Sequence, residues 1–196
     1  MAMPSSLRPE SVTPRLRGRF GHPYLYVEVC PSTQRLLGEE HAEGAVALTE
    51  EQTEGRGRLG RRWLSPAGVS LLFSILLEPR VETPRLPELS VVAGGACAAA
   101  IKAVAGVSPE VKLPNDILLS GRKVAGILAE ARDGRVVLGI GVNVNVPKER
   151  LPAGVDPPAT SLLVEAGHEV DRAELLVELL ERLELAYDNW VETRGR

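Results

Sequence analysis

The order of hydrophobic and polar positions along the chain predicts several short β-strands. The segment 23–30 is rich in β-branched and aromatic residues, and 68–79 is the strongest apolar run in the chain. The segment 111–116 is interpreted as a strand that ends in a turn. The short apolar run 45–49 adds one more, so strands are predicted over 23–30, 45–49, 68–79 and 111–116.

Two further segments have the signature of β-hairpins. In 117–131 apolar residues flank Ser120–Gly121, and in 132–147 the pair Asp133–Gly134 precedes an apolar run. Both dipeptides tolerate the left-handed backbone conformations that tight hairpin turns require. Two consecutive antiparallel hairpins are therefore expected in the second half of the chain.

Helices are predicted over 33–43, 86–105 and 171–190. Ser32 is a candidate N-cap for the first, and Asp171 with Glu174 forms a capping-box pair before the last. One face of the last helix carries Leu175, Leu176, Leu179, Leu180, Leu183, Tyr187 and Trp190. Hairpins outnumber βαβ units, so the fold class predicted is α+β, a largely antiparallel or mixed sheet with helices packed on one face.

Composition indicates one ordinary globular domain in the cytoplasm. The 196 residues are 44% hydrophobic, and the net charge of −3 argues against a general polyanion binder. Cys30 and Cys97 lie far apart and are expected to be reduced thiols, and the scattered histidines predict no zinc site. No run reaches the ~20 apolar residues of a membrane span. Residues 1–22 have no hydrophobic core of a secretory signal and are predicted to be a loose leader.

The first candidate for chemistry is EGRGRLGRRW, residues 54–63, with four arginines among three glycines. Glycine lets backbone N–H groups approach a ligand, and the arginine fork matches carboxylate and phosphate oxygens. The stretch therefore favours an anionic ligand. On its own it is equally compatible with a solvated basic loop or one that binds RNA.

The second candidate is KLPND, residues 112–116, with Lys123 seven residues later. A hairpin would bring Lys112, Asn115, Asp116 and Lys123 together, as suits charge stabilisation near a metal–phosphate. A tight turn capped by Asn115 and Asp116 would explain the motif equally well, but it leaves Lys123 without a role.

Two weaker motifs remain. In GIGVNVN, residues 139–145, Asn143 and Asn145 alternate with valines, which predicts either ligand contacts on one strand face or a solvent-facing edge. In PSTQ, residues 31–34, Ser32 and Thr33 could bind a ligand or cap a helix.

In this order, PSTQ, GRGRLGRRW, KLPND, KVAGIL and GIGVNVN resemble the motifs of biotin protein ligases over about residues 24–192. The resemblance implies the class II synthetase-like catalytic fold of that family, a sheet with helices on one side. It also implies ATP and Mg²⁺ as co-substrate and metal, and biotin as substrate. The biotin carboxylate would attack the α-phosphate to give biotinyl-5'-AMP, and a carrier lysine would then displace AMP.

The resemblance also assigns residue roles. Arg58 and Lys123 match the two groups expected to carry catalysis. Biotin-binding positions are matched by Ser32, Thr33, Gln52, Gly55, Arg56, Gly57, Arg58, Lys123 and Gly126. Nucleotide-binding positions are matched by Arg61, Trp63, Lys112, Asn115, Asp116 and Asn143, with Asp116 the candidate metal ligand. The segment 53–67 is expected to be mobile until ligand binds.

Several features depart from the family pattern. Leu113 replaces the usual tryptophan, and Gln34 replaces asparagine. The catalytic domain is predicted over 23–192. No N-terminal DNA-binding domain is expected and hence no binding to DNA, and a C-terminal SH3-like domain is also expected to be absent. The partner expected is a biotin carboxyl carrier protein or domain of a carboxylase, and the resemblance leaves a homodimer open.

Two alternative functions keep the same fold. The first is a lipoate or octanoate ligase or transferase, although those families lack GRGRxGRxW. The second is a biotin-binding module without full ligase activity. A nucleic-acid-binding protein is disfavoured by the acidic balance and by an aromatic content of 4%.

Overall fold

The computed structural model describes residues 7–79, 81 and 83–194, and it contains one seven-stranded sheet with strand order β1-β2-β3-β7-β6-β5-β4. β1 and β2 are parallel, and every other neighbouring pair is antiparallel. The predicted mixed, largely antiparallel α+β fold is therefore confirmed. The strands are β1 (Tyr24–Cys30), β2 (Val46–Gln52), β3 (Leu71–Leu77), β4 (Glu110–Lys112), β5 (Asp116–Leu119), β6 (Arg122–Arg132) and β7 (Arg135–Val142).

Both predicted hairpin turns are present. Ser120 and Gly121 have φ of 50° and 72° between β5 and β6, and Asp133 and Gly134 have φ of 51° and 80° between β6 and β7. Two consecutive residues with positive φ are the signature of the two-residue turn that matches strand twist. These turns place β6 and β7, which carry two of the motifs, side by side.

The prediction for 111–116, a strand that ends in a turn, is confirmed, and the turn closes a third hairpin. β4 ends at Lys112 and β5 begins at Asp116, with a turn through Leu113–Asn115. Pro114 has no N–H to donate to a strand ladder, so the chain turns there.

The described helices are α1 (Pro9–Val12), α2 (Glu88–Ala105), α3 (Leu162–Ala166) and α4 (Arg172–Arg194). Asp171 caps α4 by accepting hydrogen bonds from the N–H groups of Ala173 and Glu174. All seven residues predicted for the apolar face of α4 are buried. α4 packs on α2, and α2 packs on β4, β5 and β6.

Gly94 brings α2 close to the sheet. A Cβ on Gly94 would lie 3.2 Å from Val111 Cγ1, whereas one on Gly95 would meet open space. Of these two neighbouring glycines, only Gly94 therefore packs closely against the sheet. Within the described ranges, α2 has the length and apolar composition of a membrane span. Its Leu89, Cys97 and Ile101 are buried in the protein core, as in the central helix of a globular domain.

The prediction of a helix over 33–43 is wrong. The chain makes one 3₁₀ turn, Thr33–Arg35, and continues through bends and turns to β2. Gly38 weakens an eleven-residue helix that is already of marginal length. The polar side chains at its start are bound elsewhere, Thr33 to Ser74 and Gln34 to the Leu128 carbonyl.

The prediction of a loose leader over 1–22 is wrong for residues 7–22, which are packed onto the domain. Leu7, Val12 and Phe20 are buried in the main core. The Tyr24 hydroxyl donates to the Leu7 carbonyl at 2.6 Å, and Phe20 packs 5.7 Å from the Tyr187 ring. Residues 1–6 of the predicted leader lie outside the described residues.

Candidate active site

A cavity of about 280 Å³ opens on the face of the sheet opposite α2. Side chains alternate across a strand, so Ile127 packs toward Gly94 of α2 while Gly126 and Leu128 face the cavity. Its remaining walls come from the turn after β1, the loop after β2 and the segment 152–159. The sequence-predicted site residues that line it are Ser32, Thr33, Gln52, Arg56, Gly57, Arg58, Arg61, Trp63, Asn115, Lys123, Gly126 and Asn143.

Three predicted site residues do not line this cavity. Gly55 lies at the base of the loop, where a Cβ would come 2.4 Å from the Trp63 carbonyl oxygen, so glycine is needed there for backbone packing. Lys112 is exposed on the edge strand β4, opposite Asp116. Asp116 lies behind Lys123, with 2.6 Å between its Oδ1 and Lys123 Nζ.

One end of the cavity is neutral and polar. The Thr33 N–H donates to Gln52 Oε1 at 2.9 Å, and the Thr33 and Ser74 hydroxyls are hydrogen-bonded at 2.8 Å. Gln34 lies beside them, over Gly139, and its Nε2 donates to the Leu128 carbonyl at 2.9 Å. This end therefore presents amide and hydroxyl groups held by one another.

The centre of the cavity is an apolar floor made of glycines. Gly126 and Gly141 are cross-strand partners on β6 and β7, and the Trp63 ring covers both. A Cβ on Gly141 would lie 2.7 Å from Trp63 Cε2, and one on Gly126 2.9 Å from Trp63 Cζ3. The indole therefore lies flat on bare backbone. Its Nε1 is buried with no hydrogen-bond partner among the described residues.

The other end is cationic. Lys123 Nζ is 5.7 Å from the Trp63 ring centre and is paired with Asp116. Arg58 Nη1 donates to Asn115 Oδ1 at 3.2 Å, an uncharged acceptor. Lys123 also lies over Gly126, two residues before Leu128 on the same strand. Polar, apolar and cationic groups therefore follow one another along this face of β6, from Gln34 at Leu128 to the Trp63 ring and Lys123 Nζ at Gly126.

The arginine–glycine loop forms a small hairpin over the cavity. The Trp63 N–H donates to the Gly55 carbonyl at 3.0 Å, and the Gly57 N–H to the Arg61 carbonyl at 2.7 Å. The hairpin turns at Leu59 and Gly60, which have φ of 56° and 73°. The expected mobility of 53–67 stays a prediction.

The loop arginines differ in how their charge is balanced. Arg56 forms a two-pronged ion pair with Glu130 of β6, with N–O distances of 2.9 and 2.8 Å. Arg58 and Arg62 instead donate to uncharged oxygens, of Asn115 and of the Thr53 backbone. The cavity mouth therefore retains positive charge that an anion could neutralise.

Asn143 and Asn145 lie just beyond β7, not on a strand face as predicted. Asn143 Nδ2 donates to the Thr160 carbonyl at 3.0 Å, and Asn145 Nδ2 to the Val170 carbonyl at 2.9 Å. Asn143 still lines the cavity, whereas Asn145 also accepts from the Val170 N–H and binds backbone in both directions. Short polar side chains fit these positions because they pair with backbone where the ladder ends.

Sequence reasoning missed several lining residues. Gly139 and Gly141 complete the floor, and Asp156 and Ala159 belong to the wall after residue 150. The glycines had a signal, because two of them at alternate strand positions indicate a close approach on one face. The wall segment had none, since its position depends on pairing with Lys123.

Comparison with known proteins agrees with this geometry. A model of the biotin/lipoate A/B protein ligase family matches residues 26–146, more than half of the chain. The chain belongs to this family. The matched range contains all the motifs quoted above and ends just after Asn145.

Curated members of the family resemble the chain at moderate identity. The bifunctional ligase/repressor BirA of Bacillus spizizenii is 35% identical over 180 residues, covering 87% of this chain and 55% of that protein. The biotin–[acetyl-CoA-carboxylase] ligase of Mycobacterium tuberculosis is 39% identical over 153 residues, covering 76% and 56%. The chain therefore spans about half the length of the curated relatives it matches.

A solved structure of the family matches more completely. Biotin protein ligase from Aquifex aeolicus, in complex with biotin and ATP, superposes with a TM-score of 0.79 and 32% identity. The match covers 87% of this chain and 72% of that one. The resemblance to biotin protein ligase predicted from the motifs is thus confirmed, as is the fold.

Proposed function

We propose that this chain activates biotin with ATP to biotinyl-5'-AMP and transfers the biotinyl group to a lysine of a carrier protein. One observation carries the proposal: the sequence of neutral polar, apolar and cationic groups along β6 and β7. Biotin has the same order, a ureido head, a hydrocarbon and thioether body, and a carboxylate tail. The named relatives, which are biotin ligases, support the same choice of substrate.

In this proposal the ureido head lies at the neutral end. Ser32, Thr33 and Gln52 provide hydroxyl, amide and backbone groups that can donate to its carbonyl and accept from its two N–H groups. The body of biotin lies near the Trp63 ring and the glycine floor. A substrate that lacks the polar head should bind more weakly, because it leaves the polar groups of this pocket unpaired.

The carboxylate tail then reaches Arg58 and Lys123. Its oxygen attacks the α-phosphorus of ATP, the bond to the β-phosphate oxygen breaks, and pyrophosphate leaves. The two cations neutralise charge on the carboxylate and the α-phosphate as they approach each other. No side-chain nucleophile is required, and orientation with charge neutralisation carries this step. A carrier lysine then attacks the mixed anhydride, and AMP leaves.

Arg61 and Trp63 are proposed to contact the nucleotide, Trp63 through its ring and its unpaired Nε1. Mg²⁺ would enter mainly on the phosphates of ATP, as magnesium usually does. The site fits that mode, because no group of three or more metal-ligating residues occurs among the described residues. The motif resemblance makes Asp116 the candidate metal ligand, although its carboxylate pairs with Lys123 and does not line the cavity.

The acceptor is proposed to be a biotin carboxyl carrier protein or domain, and the compartment the cytoplasm. The first follows from the relatives' names, which include an acetyl-CoA-carboxylase ligase. The second is supported by Cys30 and Cys97, which are free, buried thiols of the kind expected in a reducing compartment.

The test is an assay of this 196-residue chain with biotin, ATP and Mg²⁺, first alone and then with a biotin carrier domain. We expect biotin-dependent pyrophosphate release in the first arm and biotin on the carrier lysine in the second. Lipoate replaces biotin in a matched reaction and in calorimetry. Tight biotin binding without pyrophosphate release would reduce the function to a binding module, and preference for lipoate would reject the substrate.

A further inference from the structure

Glu165 of α3 holds together two parts of the cavity wall. Its Oε1 accepts from the Thr160 hydroxyl at 2.5 Å and lies 2.7 Å from an Arg122 guanidinium nitrogen, and its Oε2 accepts from the Ser120 hydroxyl at 3.2 Å. Ser120 and Arg122 belong to the β5–β6 hairpin, whereas Thr160 belongs to the segment after residue 150. The side chain of Glu165 is only 9% exposed, although Ser120 is exposed and the Arg122 side chain is 40% exposed.

Lys123 follows Arg122 directly and pairs with the segment that contains Thr160. Its N–H donates to the Pro158 carbonyl at 2.7 Å, and its carbonyl accepts from the Thr160 N–H at 2.9 Å. The backbone of Lys123 is therefore fixed on both sides by residues 158–160. Asn143 strengthens the same junction, since its Nδ2 donates to the Thr160 carbonyl and its N–H to the Val124 carbonyl.

We propose that Glu165 is a positioning residue for Lys123. By fixing the backbone of Lys123, Glu165 determines where the Lys123 ammonium meets the carboxylate–phosphate junction. The inference rests on the proposed function for its chemical consequence. Glu165 does not line the cavity, so it acts through Thr160 and Arg122 and not by contact with a ligand. Its carboxylate joins the chain directly before Lys123 to the segment that pairs with Lys123.

The expected consequence is kinetic. A cation that stabilises developing charge is effective only when it is held in place, and a displacement of about 1 Å can reduce a rate by about 100-fold. In the proposed binding mode the ureido head lies at Thr33 and Gln52 and the carboxylate reaches Arg58, and none of these three residues contacts Glu165 among the described residues. Loss of Glu165 should therefore lower kcat for adenylation and leave biotin affinity nearly unchanged.

The experiment compares Glu165→Ala with a matched control, Glu184→Ala. Glu184 is similarly shielded, with 17% exposure, and accepts from the backbone N–H groups of Arg19 and Phe20 and from the Arg19 side chain. It lies on α4, away from the cavity. We expect Glu165→Ala to reduce kcat for biotin-dependent pyrophosphate release by about 10- to 100-fold and Glu184→Ala by less than about threefold. Calorimetry should give biotin affinities within about threefold of wild type for both.

Rescue and amide exchange complete the test. Glu165→Gln keeps an acceptor for Thr160 and should restore kcat to within about threefold of wild type, whereas a purely electrostatic role would leave it as impaired as alanine. Hydrogen exchange of the Lys123 and Thr160 amides should accelerate in Glu165→Ala and not in Glu184→Ala. Unchanged exchange, or faster exchange with wild-type kcat, would overturn the proposal. If wild type releases no pyrophosphate, the proposed function fails, and the exchange arm still decides whether Glu165 fixes Lys123.

Discussion

The Lys123 ammonium nitrogen lies 2.6 Å from Asp116 Oδ1 and 5.7 Å from the centre of the Trp63 ring. Lys123 and Asp116 lie on neighbouring strands, and Trp63 comes from the loop that covers the cavity. The ammonium therefore occupies a fixed position between a carboxylate and an aromatic face, with its backbone held from behind by residues 158–160.

The first prediction concerns that ammonium. Lys123→Ala should lower the rate of biotinyl-adenylate formation by about 100- to 1,000-fold, because it removes a preorganised charge at the reacting oxygens. Biotin affinity should change much less, since the neutral end of the cavity is intact. Pyrophosphate release and calorimetry measure the two effects. The control is Lys102→Ala, which removes an exposed lysine of α2 and should leave adenylation unchanged. Wild-type adenylation in Lys123→Ala would contradict the assignment.

The second prediction concerns Arg58, whose guanidinium donates to the Asn115 amide oxygen at 3.2 Å. Because this acceptor is uncharged, Arg58 can exchange it for an anion without breaking an ion pair. Arg58→Ala should weaken biotin binding and speed release of biotinyl-5'-AMP by about 10- to 100-fold, the loss expected for a hydrogen bond to a charged group. The measurement is the dissociation rate of adenylate formed on the protein. Arg150→Ala, at an exposed position, should release adenylate at the wild-type rate.

The sequence predicted the sheet well because its signals are local. Positive-φ turn pairs such as Ser120–Gly121 and the apolar face of α4 are each set by a few neighbouring residues. The helix over 33–43 was wrong because Thr33 and Gln34 make contacts with strands far along the chain, which no local propensity contains.

The same distinction holds for the site. The sequence motifs contain Arg58, Trp63 and Lys123, and the fold brings these three residues to one cavity. Gly55 and Asp116 also stand in motifs but support the site from behind, through backbone packing and an ion pair. A motif identifies which residues matter, and tertiary structure decides which of them line the cavity.

The third prediction tests the glycine floor. In Gly141→Ala the new Cβ would lie 2.7 Å from Trp63 Cε2, so the indole must move from the sheet. We expect the free energy of unfolding to fall by about 1–3 kcal/mol, as in overpacked cores. Affinity for ATP should fall as well, because Trp63 is displaced. Urea denaturation and calorimetry measure these changes.

The matched control for the floor is Gly95→Ala in α2. A Cβ there meets nothing within 4 Å, and alanine favours helix over glycine by about 0.5–1 kcal/mol. Gly95→Ala should therefore stabilise the protein and leave ATP affinity unchanged. Equal effects of the two substitutions would show that space above Gly141 is not limiting.

The last prediction concerns stability at alkaline pH. Complete burial raises the pKa of Cys97 from 9.0 to about 12, because the thiolate would be desolvated in the core. In the unfolded chain the same thiol ionises near its ordinary pKa. Between these values the folded state binds the extra proton, so this stabilising contribution is complete below pH 9 and is lost as the pH rises toward 12. The loss should be about 1.4 kcal/mol per pH unit for one proton.

Cys97→Ala isolates this contribution. The substitution leaves a cavity whose cost does not depend on pH, so wild type is more stable near neutrality and its advantage shrinks above pH 9. Burial also raises the pKa of Tyr24 and Tyr187, but both tyrosines are present in the two proteins and cancel in the difference. Urea denaturation at intervals from pH 7 to about 10.5 measures the difference in unfolding free energy. A difference that stays constant over this range would mean that Cys97 ionises in the folded core as readily as in the unfolded chain.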